Sequence, residues 1–428
     1  MVWRTLHALH PAVAAVRPSL VYKATPDNEA IIDKCPALDG HFHPTWFLFN
    51  GHLQTVRVGR GGRAPSVSYK RQLVRMSNGG TVSIDWAIPP GCTDLGYEHD
   101  HPTIIMLHGL AGDSQNNYIR SAATKLLRDG WRVVVMNARG CGNTPVTSPQ
   151  FLSASFTEDI REVVALLRKD YVPTAPLVGV GFSMGSNVLV KFVGEEGASC
   201  LLTEAASIGN VFDLNNNLKH MNTLFYYYLY NISISKTIIR LFFQKQFENE
   251  PGIDIDHVRA AKTAWQFDDR LTRHVLGYAS VEEYYRDASS RHYIPRVRIP
   301  LLCLSALDDP VCTHTSIPYR ECADNERVIL ATTARGGHLG YYTSDSFWAQ
   351  PDMWSSTVAA QYCKAIVVEQ VWRDRLQAFA TTSAPSSTED VNKERRFLFD
   401  LRIMLACFML YVATIFAGFN EISLTIPV

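Results

Sequence analysis

The chain has no disulfide framework and no metal-binding pattern. Its nine cysteines are scattered, with no C-x-x-C pair and no Cys/His cluster at zinc spacing. That excludes a small disulfide-stapled fold and a zinc module, and it reads as reduced thiols in a cytosolic compartment. Charge of either sign is not in excess: 41 basic residues face 41 acidic ones. No global field exists to recruit a polyanion, so a nucleic-acid partner is not expected. There is no internal repeat, no P-loop and no Rossmann fingerprint, and neither a cofactor nor a metal is expected. The N-terminal thirty residues are broken by Pro11, Pro18 and Pro26. Their longest uncharged run, 5–16, contains His7, His10 and Pro11, a poor signal peptide and too short to span a bilayer. The sequon Asn231-Ile232-Ser233 carries no meaning in a cytosolic domain.

What is present centres on one stretch, Gly181-Phe182-Ser183-Met184-Gly185. A Val-rich apolar run precedes it and an apolar helical pattern follows, with Val188, Leu189, Val190, Phe192 and Val193. G-x-S-x-G alone is weak evidence, but between a strand and a helix it is a nucleophile elbow. Side chains at 181 and 185 would collide with neighbouring backbone, so glycine is required there. The turn lifts the serine hydroxyl above the sheet edge and aims the helix N-terminal amides at the reacting oxygen.

The chain around this elbow alternates strand and helix. Residues 66–88 read as two antiparallel strands about a Ser77-Asn78-Gly79-Gly80 turn. Strands follow at 103–107, 131–136, 177–182 and 205–209, with helices at 117–128 and 156–169. This rhythm implies a mostly parallel sheet with helices on both faces. It stops between 212 and 299, where 224–230 and 238–243 read as apolar helices, and resumes with strands at 300–306 and 327–331 and a helical region at 355–372. An insertion at that point sits over the strand C-terminal ends as a cap. Phe225 and Leu229 are expected to line an apolar pocket beneath it, since such pockets favour apolar and aromatic walls. The expected organisation is an N-terminal extension (1–34), a core in two parts (35–211 and 300–375), the helical cap insertion (212–299), a linker (376–396) and a C-terminal hydrophobic segment (397–428).

A serine nucleophile needs a base and a group to orient it. The acid should follow the strand after the cap, and the histidine should follow the last strand. Asp309, in Leu307-Asp308-Asp309-Pro310, and His338, in Gly336-Gly337-His338-Leu339-Gly340, occupy those places. Asp308 competes with Asp309. Asp309 is preferred because Pro310 fixes the backbone after it, and Asp308 then structures the loop. The oxyanion hole needs two convergent amides. Met184 N–H, just after the nucleophile, is one. The second comes from His108-Gly109-Leu110, with Leu110 as donor and His108 as a brace. The spacing His108 to Asp113 also fits H-x-x-x-x-D, but the oxyanion loop already accounts for it.

With these motifs assembled, the chain resembles the YheT-like branch of the α/β-hydrolases, a branch that includes membrane-bound abhydrolase-domain lipases and ethyl-ester acyltransferases. The matching pieces also include His52-Leu53-Gln54-Thr55, Asn137-Ala138-Arg139-Gly140-Cys141 and Glu283-Tyr284-Tyr285, and the resemblance spans roughly residues 35–370. It implies an α/β-hydrolase fold, a relay on Ser183, Asp309 and His338, and hydrolysis of carboxylic esters of lipids: acylglycerols, medium-chain esters or phospholipids. Transfer of the acyl group to an alcohol is the alternative enzyme reading. A catalytically silent binding module is the third, and the complete set of three residues disfavours it.

The chain departs from this resemblance at its C-terminus. Related eukaryotic proteins often carry an anchor at the N-terminus, whereas here the uncharged apolar run is 403–419. As a helix it would extend roughly 25 Å at about 1.5 Å per residue, slightly short of a hydrocarbon core of about 30 Å. Lys393, Arg395, Arg396 and Arg402 precede it and only Glu421 follows. The positive-inside rule then predicts a single-pass membrane protein with a cytoplasmic catalytic domain. Oligomeric state is not assigned.

Overall fold

The computed structural model describes residues 15–92, 96, 99–243, 254–344 and 349–366. Nine strands form one sheet: β1 (Ser19–Tyr22), β2 (Tyr69–Arg75), β3 (Thr81–Ala87), β4 (Thr103–Leu107), β5 (Arg132–Asn137), β6 (Leu177–Phe182), β7 (Glu204–Ile208), β8 (Leu301–Ala306) and β9 (Val328–Thr333). Their spatial order is β1-β9-β8-β7-β6-β4-β5-β3-β2. From β5 to β9 the neighbours are parallel, and β1, β2 and β3 are added antiparallel. The six parallel strands bury every residue, because helices cover both faces of the sheet. The helix Glu158–Asp170 shows how the sequence encodes this. Ile160, Val163, Val164 and Leu167 form one buried stripe, with acids in the first turn and bases in the last, matching the helix dipole.

β4 lies between β5 and β6, with Leu107 opposite both Met136 and Gly181. The chain leaves β4 toward one side for β5 and returns on the other for β6. That reversal opens a crevice at the strand C-terminal ends, and the elbow stands at its edge.

The N-terminus contributes more than an extension. Ser19–Tyr22 pairs with β9, inside the 1–34 segment that the sequence placed before the core. A four-residue strand with a half-exposed face has too little alternation to be visible. Between β7 and β8, no strand occurs among the described residues. The chain instead forms the helices Leu214–Met221, Ile232–Phe243 and Val281–Ala288, with shorter turns between them. Phe242, Phe267 and Leu271 pack on Phe151, while Val281, Tyr284 and Tyr285 pack on Ala154. The cap therefore has its own apolar contacts, seated on the 146–154 loop.

The single-pass assignment is corrected. Among the described residues no helix is long and apolar enough to cross a membrane, and residues 403–419 lie outside them. The run also falls short of the roughly 20 apolar residues that a spanning helix needs.

One buried carboxyl makes the fold sensitive to pH. Glu204, the first residue of β7, is wholly buried, and neither carboxyl oxygen has a partner among the described residues. Burial pushes this carboxyl well above the ordinary range. The folded chain therefore keeps a proton that the unfolded chain releases above about pH 4.3. Stability is complete below that value and is lost as pH rises toward the raised folded-state pKa. Glu204→Gln, neutral at every pH, is expected to gain Tm relative to the wild type progressively as pH is raised from about 5 into the neutral range. Thermal melts that show a constant difference across that range would count against a buried proton at this position.

Candidate active site

Ser183 has φ +53° and ψ −119°, a backbone region that side-chain-bearing residues rarely occupy. Three backbone hydrogen bonds hold it, and Ser186 Oγ donates to its carbonyl at 2.7 Å as well. Its N–H donates to Ile208 O at 2.9 Å, and its carbonyl accepts from Ser186 N–H at 3.0 Å and Asn187 N–H at 3.1 Å. The flanking glycines are required by space. A Cβ at 181 would stand 2.5 Å from Ser186 Cα, and one at 185 would stand 2.4 Å from His108 O.

The ends of three strands converge here. His338, after β9, places Nε2 2.8 Å from Ser183 Oγ, after β6. Its Nδ1–H donates to Asp309 Oδ2, after β8, at 2.8 Å. Asp309 is almost fully buried, and its other oxygen accepts from Val311 N–H at 2.7 Å and Cys312 N–H at 2.8 Å. The carboxylate is thus gripped from one side and presented to the imidazole from the other. Asp308 turns elsewhere. Its Oδ1 accepts Gly337 N–H at 2.9 Å, tying the histidine loop to the end of β8. Burial pushes the Asp308 carboxyl up.

Leu110 and Met184 line the same cavity as Ser183, and neither amide is engaged by another group among the described residues. The loop carrying Leu110 is braced from three directions. Ala138 N–H donates to His108 Nε2 at 3.1 Å, so the proton is on His108 Nδ1, which donates to Gly109 O at 2.7 Å. Gly109 N–H donates to Tyr118 Oη at 3.0 Å. Burial lowers the His108 pKa and keeps the ring neutral.

The segment His52-Leu53-Gln54-Thr55 had no role assigned from sequence, yet it fastens the site. Thr55 Oγ1 accepts His338 N–H at 2.8 Å and donates to Gly51 O at 2.6 Å. Gln54, fully buried, donates to Leu48 O and accepts from Tyr342 N–H, both at 2.8 Å. His52 Nδ1 meets Tyr230 Oη at 2.7 Å, joining this segment to the cap. The available signal was a polar cluster on a short helix, Gly51–Gly59, capped by Asn50. Nothing in its periodicity says which residues those polar groups reach.

A cavity of about 190 Å³ opens on Ser183, walled by Leu218, Met221, Ile234, Ile238, Phe267 and Val311 among others. Phe225 and Leu229 are not in that wall. They are 58% and 47% exposed on the outside of the cap, so the pocket expectation is corrected for both. The same stretch does supply pocket wall, through Ile234 and Ile238. An unbroken apolar run carries no polar face to fix its orientation. Asp268 also borders the cavity, bonded by Thr272 Oγ1 at 2.6 Å and Tyr285 Oη at 2.7 Å, and burial raises its carboxyl to about 6. Asp309, Cys312 and His338 bring three potential metal-ligand atoms within 4.8 Å of one another. Two of these are bonded to each other, while the Cys312 thiol, its pKa raised by burial, donates to Gly209 O at 3.5 Å.

Residues 102–345 match the family model described as alpha/beta hydrolase fold. The chain is 32% identical to the embryogenesis-associated protein EMB8 of Picea glauca, over 80% of this chain and 76% of that protein. It is 31% identical to human phospholipase ABHD3, over 82% of this chain and 86% of that one. It is 29% identical to a monoacylglycerol lipase of Saccharomyces cerevisiae, over 76% and 82%. With this agreement of sequence, sheet order and elbow, the chain belongs to the α/β-hydrolase family.

Proposed function

We propose that the protein is a serine carboxylic-ester hydrolase acting on lipid esters through an acyl-enzyme. The observation that carries this reading is the unbroken chain Ser183 Oγ, His338, Asp309, with both links at 2.8 Å, at the mouth of an apolar cavity. Relatives named phospholipase and monoacylglycerol lipase support a lipid ester over other esters, and hydrolysis over acyl transfer.

Ser183 Oγ attacks the ester carbonyl carbon while His338 Nε2 takes the hydroxyl proton. The imidazolium stays bonded to Asp309, which holds the ring in its Nδ1–H tautomer and stabilises the new positive charge. The carbonyl oxygen becomes an oxyanion facing the Leu110 and Met184 amides. Removal of one such donor typically costs about 10²- to 10³-fold in turnover. Collapse of the tetrahedral adduct expels the alcohol, which takes the proton from His338. Water then repeats the sequence, releasing the carboxylic acid and restoring the serine. The acyl chain lies along Ile234 and Ile238, where each buried methylene contributes about 0.8 kcal/mol.

Ser183→Ala is expected to abolish both fluorophosphonate labelling and ester hydrolysis, with an unchanged circular dichroism spectrum. Retained turnover in that variant would end the mechanism. The two adjacent aspartates should separate cleanly. Asp309→Asn, which offers the wrong partner to Nδ1–H, is expected to lose on the order of 10⁴-fold in kcat. Asp308→Asn retains an acceptor for Gly337 N–H and should lose far less. Steady-state assays in which Asp308→Asn is the more damaged of the two would reassign the acid.

A further inference from the structure

We propose that the outer face of the cap, built on Leu224, Phe225, Tyr228 and Leu229, is the surface through which the protein lies on a lipid–water interface. These four side chains are 76%, 58%, 67% and 47% exposed. Scattered exposed apolar residues are ordinary on any protein. Here, however, four of the nine exposed large hydrophobic side chains among the described residues crowd into six consecutive positions, and such a patch marks a contact surface.

Three observations select lipid as its occupant. The first is charge. No acidic residue occurs between Asp213 and Glu248, whereas Lys219, Lys236 and Arg240 are exposed on the same stretch. The stretch that carries the patch therefore contributes only positive charge, complementary to anionic headgroups. The second is order along the helix. Exposed apolar residues at 224–229 are followed by exposed cations at 236 and 240, so long basic side chains stand beside the apolar end and can reach headgroups around it. The third is continuity, which rests on the lipid-ester reading. The same stretch turns Ile234 and Ile238 into the cavity beside Ser183, so an ester leaving the lipid surface travels along one element to the nucleophile. The patch is held to the body from beneath, where His52 bonds Tyr230 Oη and its ring lies 5.4 Å from that of Phe225. This is contact with a surface, and no part of it crosses a bilayer.

The test is sedimentation of the full chain with vesicles of phosphatidylcholine, alone or with about 30% phosphatidylserine. The wild type should partition to the vesicles, more strongly with phosphatidylserine, and raised salt should remove that preference. Phe225→Glu with Leu229→Glu should reduce partitioning by at least about tenfold. Leu73→Glu with Leu201→Glu, at exposed apolar positions on the body, should not. Lys236→Glu and Arg240→Glu should each lower the phosphatidylserine preference by about fivefold. The ratio of vesicle-borne to soluble-ester hydrolysis should fall in step with partitioning in the 225/229 variant. Equal sedimentation of that variant and the wild type overturns the proposal, as does a wild type that binds neither vesicle. A wild-type dimer that becomes monomeric in the variant would assign the patch to a second copy. A photocrosslink from position 228 to residues 403–419 in the presence of vesicles would assign it to the chain's own apolar run. Vesicle binding without any ester hydrolysis would leave the docking surface standing and remove the hydrolase reading, and the converse result would do the reverse.

Discussion

The hydrogen bond from Ser183 N–H to Ile208 O ties a strained residue to the neighbouring strand, and the site depends on it. A serine at φ +53° costs of order 1–3 kcal/mol relative to relaxed backbone. That strain persists because β6 is locked between β4 and β7 and the elbow helix begins at Met184. Parallel strands buried on both faces give the elbow a densely packed platform. The elbow uses this packing to hold a hydroxyl in a position that a flexible loop would not maintain. Gly181 and Gly185 admit the turn, and His108 and Ser186 close around it so tightly that no larger residue fits.

The histidine has a different support. His338 is on a loop, and its backbone is held by Thr55, 283 positions earlier in the chain. Gln54 secures the same loop through Tyr342, and Asp308 secures it through Gly337. The relay therefore depends on an N-terminal helix that contains none of its members. Adjacent aspartates divide the work. Asp309 faces the imidazole, and Asp308 fixes the loop that carries it. Exchanging their roles would demand a different backbone at Pro310, not merely a different rotamer.

Features encoded locally were legible in the sequence, and those that arise from long-range contact were not. The helix Asn117–Arg128, the β2–β3 turn at residues 77–80 and the strand before the elbow follow from periodicity and turn chemistry, which act within a few residues. The places of Ser183, Asp309 and His338 followed from strand order. By contrast, β1 is four residues long and owes its existence to β9. Thr55 and Gln54 are polar residues on a short helix, and the partners through which they hold the site, His338 and Tyr342, lie almost three hundred positions away. Phe225 and Leu229 were misplaced for a related reason. A run such as Leu224 to Tyr230 is apolar on every side, so hydrophobicity alone says that it packs without saying against what.

That ambiguity has a physical consequence in the cap. An ordinary cap helix has one apolar face turned inward and one polar face turned to water. The 224–243 stretch keeps the inward face, through Tyr230, Ile234, Ile238 and Phe242, but it is apolar outward as well over its first two turns. Water contact there is unfavourable, at about 25 cal/mol per Å² of apolar surface. Tyr230, by bonding His52, anchors the stretch so that it cannot rotate to bury that surface without breaking the contact between the cap and the segment that also carries Thr55. The outward apolar face is therefore held in place by the same short N-terminal helix that positions His338, so that pocket wall, cap surface and relay are tied together through it.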